Sequence, residues 1–256
     1  MNSVLERIIE TQQVSDGTRN LPLSHPDFPN LPVAVTPPEG ALIQRIIADV
    51  RPTLSVEIGC AYGVSTLYIC EALASLPDAQ RRHIVLDPFQ SKQWRGIGVK
   101  NVRHAGYDAL VDFREERSDL ALPELVREGS AIQFAFVDGW HTFDQVMVEF
   151  YYLNRILEPG GVILFDDADR RSVNRVIRHA LTYPAYRVYA TADPVPPTHR
   201  STLGRLRRAL ASVPAAGTIV RPDVLHRDWD LGILGSCVAI QKVDEDVRSS
   251  GWDRAF

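Results

Sequence analysis

From Leu54 onward, short apolar runs alternate with longer segments of helical period, and this alternation leaves few folds open. The runs are TLSVEIG, HIVLDP, VDFREERSD, AIQFAFVDG, GVILFDD, YRVYA and GILGSCVAIQK. Several are apolar almost throughout rather than at every second residue, as expected of strands covered on both faces of a parallel sheet. Between them GVSTLYICEALASL, LPELVREG, the stretch that follows Thr142 and SVNRVIRHAL carry helical period. Residues 92–105 fit a weak helix and a loop. The expected fold is a doubly wound α/β domain. Its mostly parallel, seven-stranded sheet would carry helices on both faces.

Local signals place some helix ends. Ser3 and Glu6 have capping-box spacing, as do Thr36 and Glu39, with Pro37 suited to the first helical position. Thr142 and Gln145 repeat the spacing before a helix whose apolar face would hold Phe143, Val146, Met147, Phe150, Leu153 and Leu157. The residues EPGG would then stop it. Two segments stand outside the alternation. Residues 1–38 combine a short helix with LPLSHPDFPNLPVAVTPP, whose prolines predict an extended arm or lid ahead of a domain spanning 39–256. Residues 191–231 break the pattern again with prolines and the helix RSTLGRLRRALASV, a candidate substrate lid. Arg200, Arg205, Arg207 and Arg208 there read as a solvated basic face or as a reader of an anionic substrate.

The charge balance gives no case for a nucleic-acid binder, since the net charge is -4. The three cysteines, Cys60, Cys70 and Cys237, form no C-x-x-C pair and are an odd number, so reduced thiols are expected. The polar start MNSVLERIIETQQ has no signal-peptide pattern, and no apolar run has membrane-span length. The expectation is a soluble cytoplasmic protein, with the N-terminal helix and arm as candidate contacts for a homodimer.

In open parallel sheets ligands bind beyond the carboxyl ends of the strands. Those ends supply Glu57, Gly59, Cys60, Ala61, Tyr62 and Gly63, then Asp87, then Ser118 and Asp119, then Asp138, Trp140 and His141, and last Asp166, Asp167 and Asp169. VEIGCAYGVST is a strand-to-helix turn in which glycines admit a ligand to the backbone and the helix start offers free N–H groups. It lacks G-x-G-x-x-G, so the dinucleotide fingerprint is absent. Asp87 ends the next strand, where a carboxylate can accept both hydroxyls of a ribose. No G-x-S-x-G hydrolase elbow and no H-E-x-x-H zinc motif occurs.

VEIGCAYGVST, LDP, FVDGWH and GGVILFDD, in that order, resemble the class I S-adenosylmethionine-dependent methyltransferases. Among these the set looks like the small-molecule O-methyltransferases of the catechol and caffeoyl-CoA type and their bacterial natural-product relatives. The resemblance covers about residues 36–190 and the last strand, and implies a Rossmann-like fold. It places Glu57, Gly59, Ala61, Tyr62, Gly63 and Ser65 near the methionine part of the cofactor and Asp87 on its ribose. Ser118 and Asp119 would border the adenine, although ERSD departs from the usual glycine-containing turn. Trp140 would pack on the adenine edge or wall the acceptor site.

In metal-dependent members of the family the fourth strand ends in a ligand aspartate, and the fifth supplies an acidic pair or Asp-Asn. The resemblance therefore makes Asp138, Asp166 and Asp167 candidate ligands of Mg2+, a hard cation suited to oxygen donors. Such an ion would hold vicinal oxygens of a small-molecule hydroxyl acceptor and lower the pKa of the attacking one. Alternatively, Asp138 orients the cofactor amine or caps the helix. His141 stands where catechol-type enzymes place a lysine base. Asp138 and His141 are thus the candidate catalytic residues.

One alternative is a metal-independent methyltransferase with His141 alone as base, in which Asp167→Ala should be nearly silent. Another is a nucleotide-sugar glycosyltransferase, because Asp167–Asp169 imitates D-x-D. A third is a non-catalytic S-adenosylmethionine-binding protein.

Overall fold

The computed structural model describes residues 1–77, 80–194 and 227–254. Residues 195–226, with the arginine-rich helix and most of the candidate lid read from the sequence, lie outside the described residues.

Helix α1 (Ser3–Thr11) is capped by Asn2, whose side chain accepts the Val4 N–H at 3.0 Å. The expected Ser3–Glu6 box is displaced by one residue because asparagine at position 2 already satisfies that donor. The proline-rich arm is extended, as expected, and folds into two small antiparallel ribbons. One pairs β1 (Gln13–Ser15) with β2 (Asn20–Pro22), and the other pairs β3 (Ser24–His25) with β4 (Phe28–Pro32).

Helix α2 (Pro37–Val50) starts as read. Glu39 reaches back to accept the Thr36 N–H at 2.8 Å, and Pro37 stands where no N–H is needed. There follow β5 (Leu54–Ile58), α3 (Val64–Ser75), β6 (Arg82–Leu86), α4 (Ile97–His104), β7 (Val111–Arg114), α5 (Ser118–Arg127), β8 (Ile132–Val137), α6 (Phe143–Ile156), β9 (Leu157–Phe165), α7 (Arg171–Ala180), β10 (Tyr186–Thr191), α8 (Asp228–Leu231) and β11 (Val238–Lys242).

The central sheet has seven strands in the order β10-β11-β9-β8-β5-β6-β7. Strands β5 to β9 pair in parallel, and β11 runs antiparallel to both β9 and β10. The face formed by α1, α2 and α3 packs Leu5, Ile8, Ile43, Ile46, Ile47, Leu67 and Ile69 against Phe134 and Phe136. The opposite face, with α5, α6 and α7, packs Leu122, Phe150, Leu153, Val176 and Ile177 against Val56, Ile84 and Phe165. Full burial of side chains on both faces explains why the strands read as continuous apolar runs.

Two local readings needed correction. Helix α6 stops just before EPGG, as read, but Leu157, read as part of its apolar face, and EPGG itself belong to the next strand. Strand β9 begins at Leu157, and its register against β8 shifts between Ile132 and Phe134 to absorb the extra residues. The Thr142–Gln145 box does not form either. Gln145 instead turns to Ser118 and Glu149, at 2.9 and 3.2 Å. Phe143 is 40% exposed, so the buried face of α6 starts at Val146.

The strand order reverses between β5 and β8. The neighbours of β5 run outward through β6 to β7 on one side and through β8 to β9 on the other. A crevice at the carboxyl ends of the strands is expected at such a point.

Candidate active site

Glycine is compulsory where the turn after β5 meets the end of β8. Gly59 has φ +93°, and a Cβ there would lie 2.0 Å from the carbonyl oxygen of Asp138. The Asp138 N–H in turn donates to the Ile58 carbonyl at 2.9 Å. Gly63, also left-handed, opens α3, with its φ at +80°. Between them Ala61 adopts φ +45°, a strained value for a residue with a Cβ.

Two side chains from the next loop hold this turn. Asp87 is 3% exposed, and its Oδ2 accepts the N–H groups of Cys60 and Ala61 at 3.2 and 3.0 Å. Gln90, fully buried, donates from Nε2 to the Ala61 carbonyl at 2.6 Å and to Asp87 Oδ2 at 3.2 Å. Asp87 Oδ1 accepts the Phe89 N–H at 2.8 Å. Asp87 therefore serves the turn itself, with lone-pair capacity left on Oδ1. Beneath the turn Glu57 is wholly buried. One of its oxygens accepts Ser65 Oγ at 2.5 Å and the other meets His83 Nε2 at 2.9 Å. Glu57 and Ser65 thus bond to each other and brace the start of α3.

Ser118 lies at the start of α5 and donates to Glu149 Oε1 at 2.7 Å. Asp119 points elsewhere, in a bidentate pair with Arg117 at 2.9 Å for both bonds. The Trp140 ring is 62% exposed, with Phe89 facing it at 6.0 Å between centroids. Phe89, Gln90 and Glu149 carry no sequence signal of their own. Phe89 was findable only as the exposed apolar residue two positions beyond the Asp87 strand end.

At the ends of β8 and β9, His141 Nε2 lies 3.1 Å from Asp167 Oδ2, and Arg170 Nε lies 2.8 Å from the same oxygen. Ser172 Oγ donates to the His141 carbonyl at 2.5 Å. Asp167 is left-handed at φ +52°, and its N–H donates to Asp166 Oδ1 at 2.9 Å. Desolvation, reinforced by the carboxylates of Asp166, Asp167, Glu57 and Glu39, pushes the Asp138 carboxyl well above its usual range. Desolvation and then Glu39 push Asp166 up to about 7. Burial lowers the His141 imidazole against the opposing pull of Asp167. Burial also raises all three free thiols, Cys60, Cys70 and Cys237, so they are packing groups rather than nucleophiles.

Asp138, Asp166 and Asp167 suit a hard cation in donor chemistry, and their mutual repulsion is of the kind a cation relieves. They do not, however, form a ready ligand group. Among the described residues no cluster of three His, Cys, Asp or Glu side chains could hold a metal ion, and Asp167 is already engaged by His141 and Arg170.

Residues 56–168 match a family described as "Methyltransferase domain". A named relative is a probable caffeoyl-CoA O-methyltransferase of Arabidopsis thaliana, 29% identical over 158 residues, covering 58% of this chain and 61% of that protein. An uncharacterized protein of Sinorhizobium fredii is 26% identical over 163 residues, covering 59% of this chain and 17% of that one. The chain thus spans less than two thirds of the length of either curated relative. Among solved structures, the O-methyltransferase from Bacillus cereus in complex with SAH superposes with a TM-score of 0.58 at 19% identity, covering 74% of this chain and 83% of that one. The O-methyltransferase TomG from Streptomyces achromogenes, in complex with SAM, gives 0.57 at 19%, covering 74% and 82%. At that identity the likeness is one of fold. No described helix is long and apolar enough to cross a membrane.

Proposed function

We propose that the protein transfers a methyl group from S-adenosylmethionine to a hydroxyl of a small molecule. The observation that carries the proposal is the turn Gly59–Gly63 packed against Asp138, with Asp87 and Gln90 bonded to its backbone. It sets a ligand-accepting turn, a carboxylate and His141 at one sheet switch point.

Gly59, Ala61, Tyr62 and Gly63 would hold the methionine part of the cofactor, Asp87 its ribose, and Ser118, Phe89 and Trp140 its adenine. Glu57 and Ser65 act beneath the turn. The sulfonium methyl is already activated, so the protein's task is to align the acceptor oxygen in line and remove its proton. His141 takes that proton at Nδ1, the ring nitrogen turned away from Asp167, while Nε2–H donates to the Asp167 carboxylate. A neutral imidazole, favoured by burial, is the form that can accept it. Asp138, Asp166 and Asp167 are the residues that would have to hold magnesium, but they form no ready ligand group while Asp167 is engaged by His141 and Arg170, so no step is routed through an ion.

The metal-free reading draws support from a specific observation, the His141–Asp167 contact at 3.1 Å, since a carboxylate that orients a histidine is the usual partner of a base. That contact also removes the discriminating power expected of Asp167→Ala, which now disturbs the base in either case. Asp166→Asn takes its place.

The test is formation of S-adenosylhomocysteine from S-adenosylmethionine across a panel of phenols and sugars, with chelator and with added magnesium. Turnover on any of them supports the reading. Turnover on none, by protein that binds the cofactor, supports the non-catalytic alternative. Full turnover in chelator removes magnesium and leaves the methyl transfer intact.

A further inference from the structure

Helix α6 buries Val146, Phe150 and Leu153 against the sheet. The opposite face of such a surface helix is expected to be polar. Here it carries Val148 and Tyr151, both exposed, Tyr151 to 53%. Phe143 and the half-buried Met147 flank them. Leu120 of α5, 55% exposed, widens the same surface, since it lies two residues past Ser118, which bonds to Gln145 and Glu149 of α6. Single exposed apolar residues are ordinary, whereas a group of them on two packed helices marks a surface that another molecule covers.

Charge indicates what that molecule is. Asp144 and Arg155 are exposed at the two ends of the stripe, and neither makes an ion pair among the described residues. Arg155 lies over the Tyr151 ring, 5.6 Å from its centroid. Asp144, Val148, Tyr151 and Arg155 are spaced four, three and four apart, which keeps them on one face of the helix. The stripe thus runs acid, apolar, aromatic, base, and it is complementary to itself read backwards. A twofold axis crossing α6 between Glu149 and Phe150 would set Val148 of one copy against Tyr151 of the other. The same axis would set Asp144 of one copy against Arg155 of the other. Each pair then occurs twice, as an isologous contact requires. The helix dipole also favours an acid first and a base last, but it gives no reason for the exposed valine and tyrosine between them.

We propose that the exposed face of α6, with Leu120 beside it, is the contact surface for a second copy of this chain, with the two α6 helices packed antiparallel about a twofold axis. The apolar residues supply the affinity, and the charged ends fix direction and register. The contact does not depend on the methyltransferase reading.

Sedimentation velocity on the full chain tests it. A monomer–dimer equilibrium is expected between roughly 1 and 100 µM, the range suited to a contact of modest area. Tyr151→Glu should weaken dimerisation by about a hundredfold, because a symmetric contact loses that residue twice. Asp144→Arg leaves two basic ends on the stripe, and Arg155→Asp leaves two acidic ones. Each of these variants alone sets like charges together and should dimerise at least about tenfold more weakly. An equal mixture of the two should dimerise as well as the unaltered chain. That recovery cannot arise from a folding defect, since two defective chains would not repair each other. A monomer throughout the range overturns the proposal. So does a dimer that Tyr151→Glu leaves intact, which would move the contact to another surface such as the N-terminal arm. So does a mixture no more dimeric than its components.

Discussion

Replacing Glu149 with glutamine should change how stability depends on pH. Glu149 lies in α6, 1% exposed, with Oε1 accepting from Ser118 at 2.7 Å and from Gln145 at 3.2 Å. Its Oε2 meets no donor among the described residues. Burial outweighs those two bonds and raises the carboxyl from 4.5 to about 7. The folded state therefore binds a proton that the unfolded chain has released, and stability falls as pH rises from about 4.5 through about 7. With one pKa unit equal to about 1.36 kcal/mol, the loss between pH 5 and pH 8 is about 2.5 kcal/mol.

Glu149→Gln keeps an acceptor at Oε1 and cannot ionise. Its buried NH2 carries a cost of about 1–3 kcal/mol, but that cost is the same at both pH values. The prediction is thus a difference of differences. Measured by urea unfolding, the variant should gain about 2.5 kcal/mol on the native protein between pH 5 and pH 8. In melting temperature this is about 5–10 °C for a chain of this length. A variant-minus-native difference that stays constant across that range would refute the assignment of a buried, ionising Glu149.

Three further outcomes follow from the rim. Gly59→Ala brings a Cβ to 2.0 Å from the Asp138 carbonyl and should abolish cofactor binding by calorimetry, with a loss of stability of about 3 kcal/mol or more. A variant that binds as well as the native protein would contradict the close packing of the turn. His141→Asn should lower turnover by about 100- to 10,000-fold while leaving S-adenosylhomocysteine affinity unchanged, as expected of a base. A loss of affinity equal to the loss of rate would assign His141 to binding. Asp166→Asn should be severe in magnesium and matched by chelation of the native enzyme if the acidic group holds a metal. If its turnover stays near native, the metal-free mechanism stands.

The parallel sheet was legible because burial on both faces leaves its trace in each strand alone, as VEI and GVILF show. The turn was legible because Gly59 and Gly63 sit at left-handed positions that few other residues tolerate. Helix caps were less so. Thr36–Glu39 formed as read, while the similar spacing at Thr142–Gln145 did not. The difference lies in Ser118 and Glu149, which compete for Gln145 from distant parts of the chain. The same reason hid Gln90, whose partners Ala61 and Asp87 converge only once two strands are paired. Asp167 shows the limit in the site itself. An acidic pair at a strand end reads as a metal ligand, but the bonds from His141 and Arg170 depend on how the next loop folds back.

The central claim is that this rim binds S-adenosylmethionine, and isothermal titration of the full chain with S-adenosylmethionine and S-adenosylhomocysteine tests it most directly. The account predicts saturable binding of both at one site per chain, weakened by Asp87→Ala. No heat of binding from either ligand, with a correctly folded protein, would contradict it.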